Sequence, residues 1–140
     1  MRKLVALGCV ALVTVVGCSP SDQDMARREA SDLCAGLGYT SGVPNRGTSE
    51  ADDSDVDLAA AASQANEAAS KAARAAMLDS RWDRLSNTMT DFVTFLGHRT
   101  TSNDTTQSWE RRQAADQALE QMNLQDMIQA LDQECRKAQA

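Results

Sequence analysis

Behind residue 20 the apolar residues recur at helical spacing along most of the chain, and nowhere do they alternate as in a strand. Ser21-Asp22-Gln23-Asp24 reads as an N-cap followed by acids that a helix dipole favours. Ala26, Ala30, Leu33, Cys34 and Leu37 then share one face, and Gly36 and Gly38 close it, predicting a first helix over about 22–36. Residues 38–49 hold three glycines and Pro44 among short polar residues, and read as a loop. From 56 to 97 runs the longest helical pattern. A narrow stripe of small residues (Leu58, Ala61, Ala62, Ala65, Ala69, Ala72, Ala73, Ala76) continues into Trp82, Leu85, Met89, Phe92, Val93 and Leu96. Asp79-Ser80-Arg81-Trp82-Asp83 interrupts it with a second cap signal at Ser80, but one continuous helix is the preferred reading. A polar turn is expected at 97–103, and Asp104-Thr105-Thr106-Gln107 reads as a capping box. A third helix over 105–138 carries Trp109, Ala115, Ala118, Leu119, Met122, Leu124, Met127, Ile128, Leu131 and Cys135.

Two long amphipathic helices joined by a short polar turn predict an antiparallel hairpin. The expected fold is all-α: an elongated three-helix bundle built on that hairpin, with residues 22–138 as one domain. A turn centred near residue 100 would set Phe92 level with Trp109, Leu85 with Ala115, Ala72 and Ala73 with Ile128, and Cys135 with about Ala65.

The front of the chain has a different pattern. Arg2 and Lys3 precede an apolar run, Leu4 to Gly17, of 14 residues, and the sequence turns polar at Ser19-Pro20-Ser21-Asp22. A spanning helix needs about 20 predominantly apolar residues, so the run suits a removed secretory signal better than an anchor. Its exit, Val15-Val16-Gly17-Cys18, resembles the lipobox of bacterial lipoproteins, a likeness confined to residues 1–18. The resemblance implies that residues 1–17 are removed and that Cys18 becomes an acylated N-terminus, with 18–21 as a lipid-anchored lead. It also implies an extracytoplasmic location: the outer leaflet of the cytoplasmic membrane, or the outer membrane in a Gram-negative host. One fatty chain anchors only marginally, whereas two or more hold firmly.

Charge and cysteine content sharpen this picture. Without Arg2 and Lys3 the net charge falls from −6 to −8. An acidic chain is repelled by anionic lipid and by nucleic acid, so attachment is expected through the lipid, and no nucleic-acid partner is expected. Cys9 lies in the discarded signal and Cys18 is the acylation site, leaving Cys34 and Cys135. In an exported protein these most simply pair with each other. The eleven arginines against three lysines, with abundant alanine, suggest a GC-rich coding genome.

Candidate chemistry is sparse. Asp53-Ser54-Asp55-Val56-Asp57 starts like a calcium-binding EF-hand loop, but Leu58 stands where the loop needs glycine and Gln64 where it needs a bidentate glutamate. The acids read better as the first turn of a helix, and no metal or cofactor is expected. His98, the one histidine, has no nucleophile and orienting partner in an evident arrangement, so no catalytic residue is assigned. The cysteines lack CxxC spacing. Trp82, Trp109, Phe92 and Phe95 are read as core or core-edge residues.

What remains are surfaces. His98, Arg99, Thr100, Ser102 and Asn103 form a polar tip that a partner could recognise, and the loop with Tyr39, Pro44 and Arg46 is a second candidate. The expectation is a non-enzymatic, lipid-anchored envelope protein acting by contact with an unknown envelope protein or wall component, including a role in blocking phage infection as some prophage lipoproteins have. The alternative is a small-ligand or metal-binding envelope lipoprotein. With only Ser19 and Pro20 between the anchor and the first helix, the tip at 97–104 is expected to point outward, or else the bundle to lie along the membrane.

Overall fold

The computed structural model describes residues 20–40, 43–44 and 57–140. Over these described residues it is an all-α bundle with one disulfide, formed by five helices: α1 (Asp22–Gly36), α2 (Leu58–Leu78), α3 (Asp83–Asn103), α4 (Trp109–Gln121) and α5 (Leu124–Gln139). The start of α1 follows the expected chemistry. Ser21 and Asp24 form a reciprocal capping box, in which the Ser21 hydroxyl accepts from the Asp24 N–H and the Asp24 carboxylate accepts from Ser21.

The single helix expected over 56–97 is instead two. Asp79 adopts an extended conformation (φ −154°, ψ 114°), and a short 3-10 turn, Ser80–Trp82, follows it. The capping residue is Asp79 rather than Ser80. Its carboxylate accepts from the Arg81 N–H at 3.0 Å and pairs with the Arg81 guanidinium at 2.6 Å. Beyond this corner α3 doubles back on α2, while α1 covers α2 from another side. The reversal buries both apolar stretches at once: Trp82, Leu85 and Met89 join Ala72 and Ala75 in one core with Ala26, Ala30 and Leu33. Each large side chain buried in this way contributes about 1.5–3 kcal/mol.

The alanine stripe of α2 is turned from the expected one. Ala65, Ala68, Ala72 and Ala75 are buried, whereas Ala73 is exposed. Small residues on the facing sides of α1 and α2 permit close approach, and the Glu29–Arg74 ion pair at 3.1 Å lies across the same interface.

The expected third helix also divides. Asn123 breaks it and caps α5, its side chain accepting from the Asp126 N–H at 3.2 Å. At the other junction the expected turn at 97–103 is helical, and the chain reverses at Asp104–Ser108 instead. Thr100 and Thr101 donate their hydroxyls back to the Leu96 and Gly97 carbonyls, so their polar groups are satisfied within the helix. Asp104 accepts from the Thr106 N–H and hydroxyl, and Ser108, not Asp104, caps α4.

This shifts the register. Ser102 donates to Asp116, and Arg84 lies 3.8 Å from Glu134, so α4 and α5 descend along α3. The expected levels Ala72–Ile128 and Cys135–Ala65 do not form, because α2 packs on α1 and α3 rather than on α5, and Phe92–Trp109 and Leu85–Ala115 are displaced, because Ser102 is the residue level with Asp116. Cys34 and Cys135 are both fully buried and join α1 to α5, with their Cα atoms 5.5 Å apart. In the expected loop, Gly38 (φ 86°) turns the chain into a two-residue ladder that pairs Tyr39 with Pro44 and Thr40 with Val43.

The bundle has two unlike ends. At one, the start of α1, the α2–α3 corner and the close of α5 gather. At the other lie the end of α3 and the start of α4. The 21 residues of α3 span about 30 Å between them.

Candidate functional site

Of the expected functional residues, the structure describes the disulfide and the tip. Cys18, Arg46 and the acids from Glu50 to Asp55 lie outside the described residues. The five tip residues do share one place, the last two turns of α3, but as a helical surface and not a loop. Arg99, Thr100 and Asn103 are exposed, and His98 and Ser102 are half-buried. His98 makes no hydrogen bond or ion pair with other described residues, so nothing there orients it as a base. The Asp104 carboxyl that closes α3 is held below its ordinary value, first by the Thr106 hydroxyl and N–H and then by the Gln107 amide.

Tyr39 is unavailable as a loop recognition residue. It is 6% exposed, donates its hydroxyl to Asp132 and accepts on its carbonyl from the Gln139 side chain at 2.8 Å. Trp109, expected in or beside the core, is 63% exposed. It is the first residue of α4, one turn before the face that α3 covers, and only Ala115 of that helix is fully buried. The tip therefore includes an aromatic side chain that periodicity alone assigned to the interior.

The opposite end holds what sequence reasoning missed. Glu134 is completely buried. One of its oxygens accepts from Lys137 Nζ at 2.6 Å, with Arg84 at 3.8 Å, while its Oε2 has no partner. The indole N–H of Trp82 is likewise buried and has no hydrogen-bond partner among the described residues. Two open clefts adjoin here. One, of about 500 Å³, is lined by Arg27, Arg28 and Ser31 of α1 with the end of α5, and the other, of about 310 Å³, by Arg27, Arg81, Trp82 and Lys137. A visible signal was the position of Glu134 one step before Cys135 on the apolar side of α5.

Among the described residues no group of three or more His, Cys, Asp or Glu side chains could hold a metal ion, and no helix is long and apolar enough to cross a membrane. The fold thus defines a disulfide-stapled helical bundle with a polar far end and, at the near end by the start of α1, clefts lined by arginine and lysine. No family model, curated protein or solved structure matches the chain.

Proposed function

We propose that this chain is a lipid-anchored, non-enzymatic protein of the bacterial envelope that acts by contact between its far end and another protein or a wall component. The observation that carries the reading is positional. Helix α1 is capped at Ser21, three residues behind Cys18, and the surface formed by Arg99, Asn103 and Trp109 lies at the opposite end of α3. An acylated Cys18 would hold the near end at the membrane and present that surface about 30 Å away. Exposed tryptophan and arginine are the residue types that dominate contact energies in protein interfaces. A role in blocking phage infection is one form such contact could take.

The test is crosslinking in intact cells with mass spectrometry of captured partners, comparing wild type with a variant carrying Arg99→Glu, Asn103→Glu and Trp109→Ala. The reading expects a discrete partner that the variant loses. A partner captured equally by both would move the contact surface elsewhere. A spin label at Arg99 found at headgroup depth would refute the outward orientation. The second reading, a ligand-binding lipoprotein, draws on the two clefts at the near end, and a thermal-shift screen tests it because a true ligand must stabilise the fold.

A further inference from the structure

We infer that the paired clefts at the near end bind the phosphate of a phospholipid headgroup, so that the domain sits on the bilayer by a second, non-covalent contact. The inference rests on the anchoring reading and adds to it a site. Four cations converge on the clefts: Arg27, Arg28, Arg81 and Lys137. Two are already engaged, Arg81 by Asp79 and Lys137 by Glu134, each at 2.6 Å. Arg27 and Arg28 pair with no carboxylate among the described residues, and Arg27 Nε reaches only the Ala138 carbonyl, at 3.5 Å. Asp24 lines the larger cleft too; its carboxylate accepts from Ser21 and its charge also acts on Arg28 and Arg27, without a salt bridge to either.

Two guanidinium groups on one cleft, neither in a salt bridge among the described residues, offer the planar donor forks that phosphate oxygens accept bidentately. The second observation is independent of charge. Trp82 lines the smaller cleft and is 5% exposed, and its indole N–H has no hydrogen-bond partner among the described residues. An orphaned buried donor is costly, and an acceptor that the cleft opened to admit would relieve it. The third is position. Three residues of chain span at most about 10 Å, so the lipid on Cys18 and the clefts occupy the same end of the molecule. Tethering there keeps headgroups at high effective concentration, and a weak individual affinity suffices.

The chain contains two tryptophans, one at the clefts and one at the far tip, which supplies an internal control. The experiment follows both indole N–H resonances of the full-length protein, purified from membranes in a phosphate-free maltoside detergent. The probes are inorganic phosphate and dihexanoyl phosphatidylglycerol below its micelle-forming concentration. The Trp82 resonance should shift saturably with the lipid while that of Trp109 stays still. The Arg27→Gln/Arg28→Gln variant should weaken binding at least tenfold, and Arg136→Gln, outside the clefts, should leave it unchanged. No saturable shift, or a shift that survives the double variant, overturns the site. Response to phosphate but not to the lipid overturns the headgroup assignment. Mass spectrometry of the N-terminus separates the two ideas: lipid binding without acylated Cys18 sinks the anchor and keeps the site, and acylation without binding does the reverse.

Discussion

Removing the disulfide by replacing Cys34 and Cys135 with alanine should cost more than any other paired change in the described fold. The bridge closes a loop with a sequence separation of 101. In the chain-entropy treatment a loop of that length restricts the unfolded chain by about 4.7 kcal/mol. That is of the order of half the total stability of an ordinary small domain, about 5–15 kcal/mol. The native state itself should change little, because α1 remains held by α2 through Ala26, Ala30 and Leu33, which belong to the same buried cluster as Ala68, Ala72 and Ala75. The assay is urea unfolding followed by circular dichroism. With a urea slope of about 2 kcal/mol per molar, the midpoint should fall by roughly 2 M while the native helical signal is retained. A loss under about 1 kcal/mol would refute the reasoning, since it would mean that the reduced unfolded chain is already confined. A native spectrum that loses one helix of signal would instead show that α1 depends on α5, against the packing described.

Four further outcomes are expected. Gly97→Ala should stabilise the protein by about 0.5–1 kcal/mol, because Gly97 lies inside α3 and an added Cβ meets nothing within 4 Å; thermal unfolding measures it. Lys137→Met should destabilise by about 2 kcal/mol in urea titration, since it removes the closest partner of the fully buried Glu134 carboxylate. Asp24, Asp79 and Asp104 are each held below the ordinary aspartate value of 3.8, chiefly by side-chain hydrogen bonds from Ser21, Arg81 and Thr106. Their folded values being the lower ones, the unfolded chain takes up protons first as pH falls. Their stabilisation is therefore complete above about pH 4 and lost below it, and the melting temperature should drop more steeply there in wild type than in Asp104→Asn. Finally, amide hydrogen exchange should be faster across Ala114–Leu119 than across Leu85–Phe92, and equal rates would contradict the burial pattern.

The helical class, the capped start of α1, the pairing of Cys34 with Cys135 and the burial of Trp82, Leu85 and Met89 were legible in the sequence. They depend on short-range capping, periodicity and the parity of cysteines. The two helix breaks were written in the sequence too, but in weak symbols. Asp79 and Asn123 are ordinary polar residues whose capping role shows only when the chain turns behind them. Apolar spacing carried straight across both, and a periodic pattern cannot tell one long helix from two that fold back on each other. The tip was misread for the opposite reason. Gly97 and the threonines look like a turn, yet the hydroxyls of Thr100 and Thr101 return to carbonyls one turn earlier and leave α3 intact. The near-end clefts could not be read at all, because Arg27, Arg81 and Lys137 meet only through the corner at Asp79.

Helix α4 is bracketed by two non-helical joints, Asp104–Ser108 and Met122–Asn123, and rests chiefly on α3. An element with one fully buried residue and a joint at each side is the part of a bundle most readily lifted away as a unit. Its departure would uncover the face of α3 against which Ala115 is buried. A partner that reached this face could thus exchange places with α4 and gain an apolar seat, leaving the cystine-linked portion undisturbed beneath it.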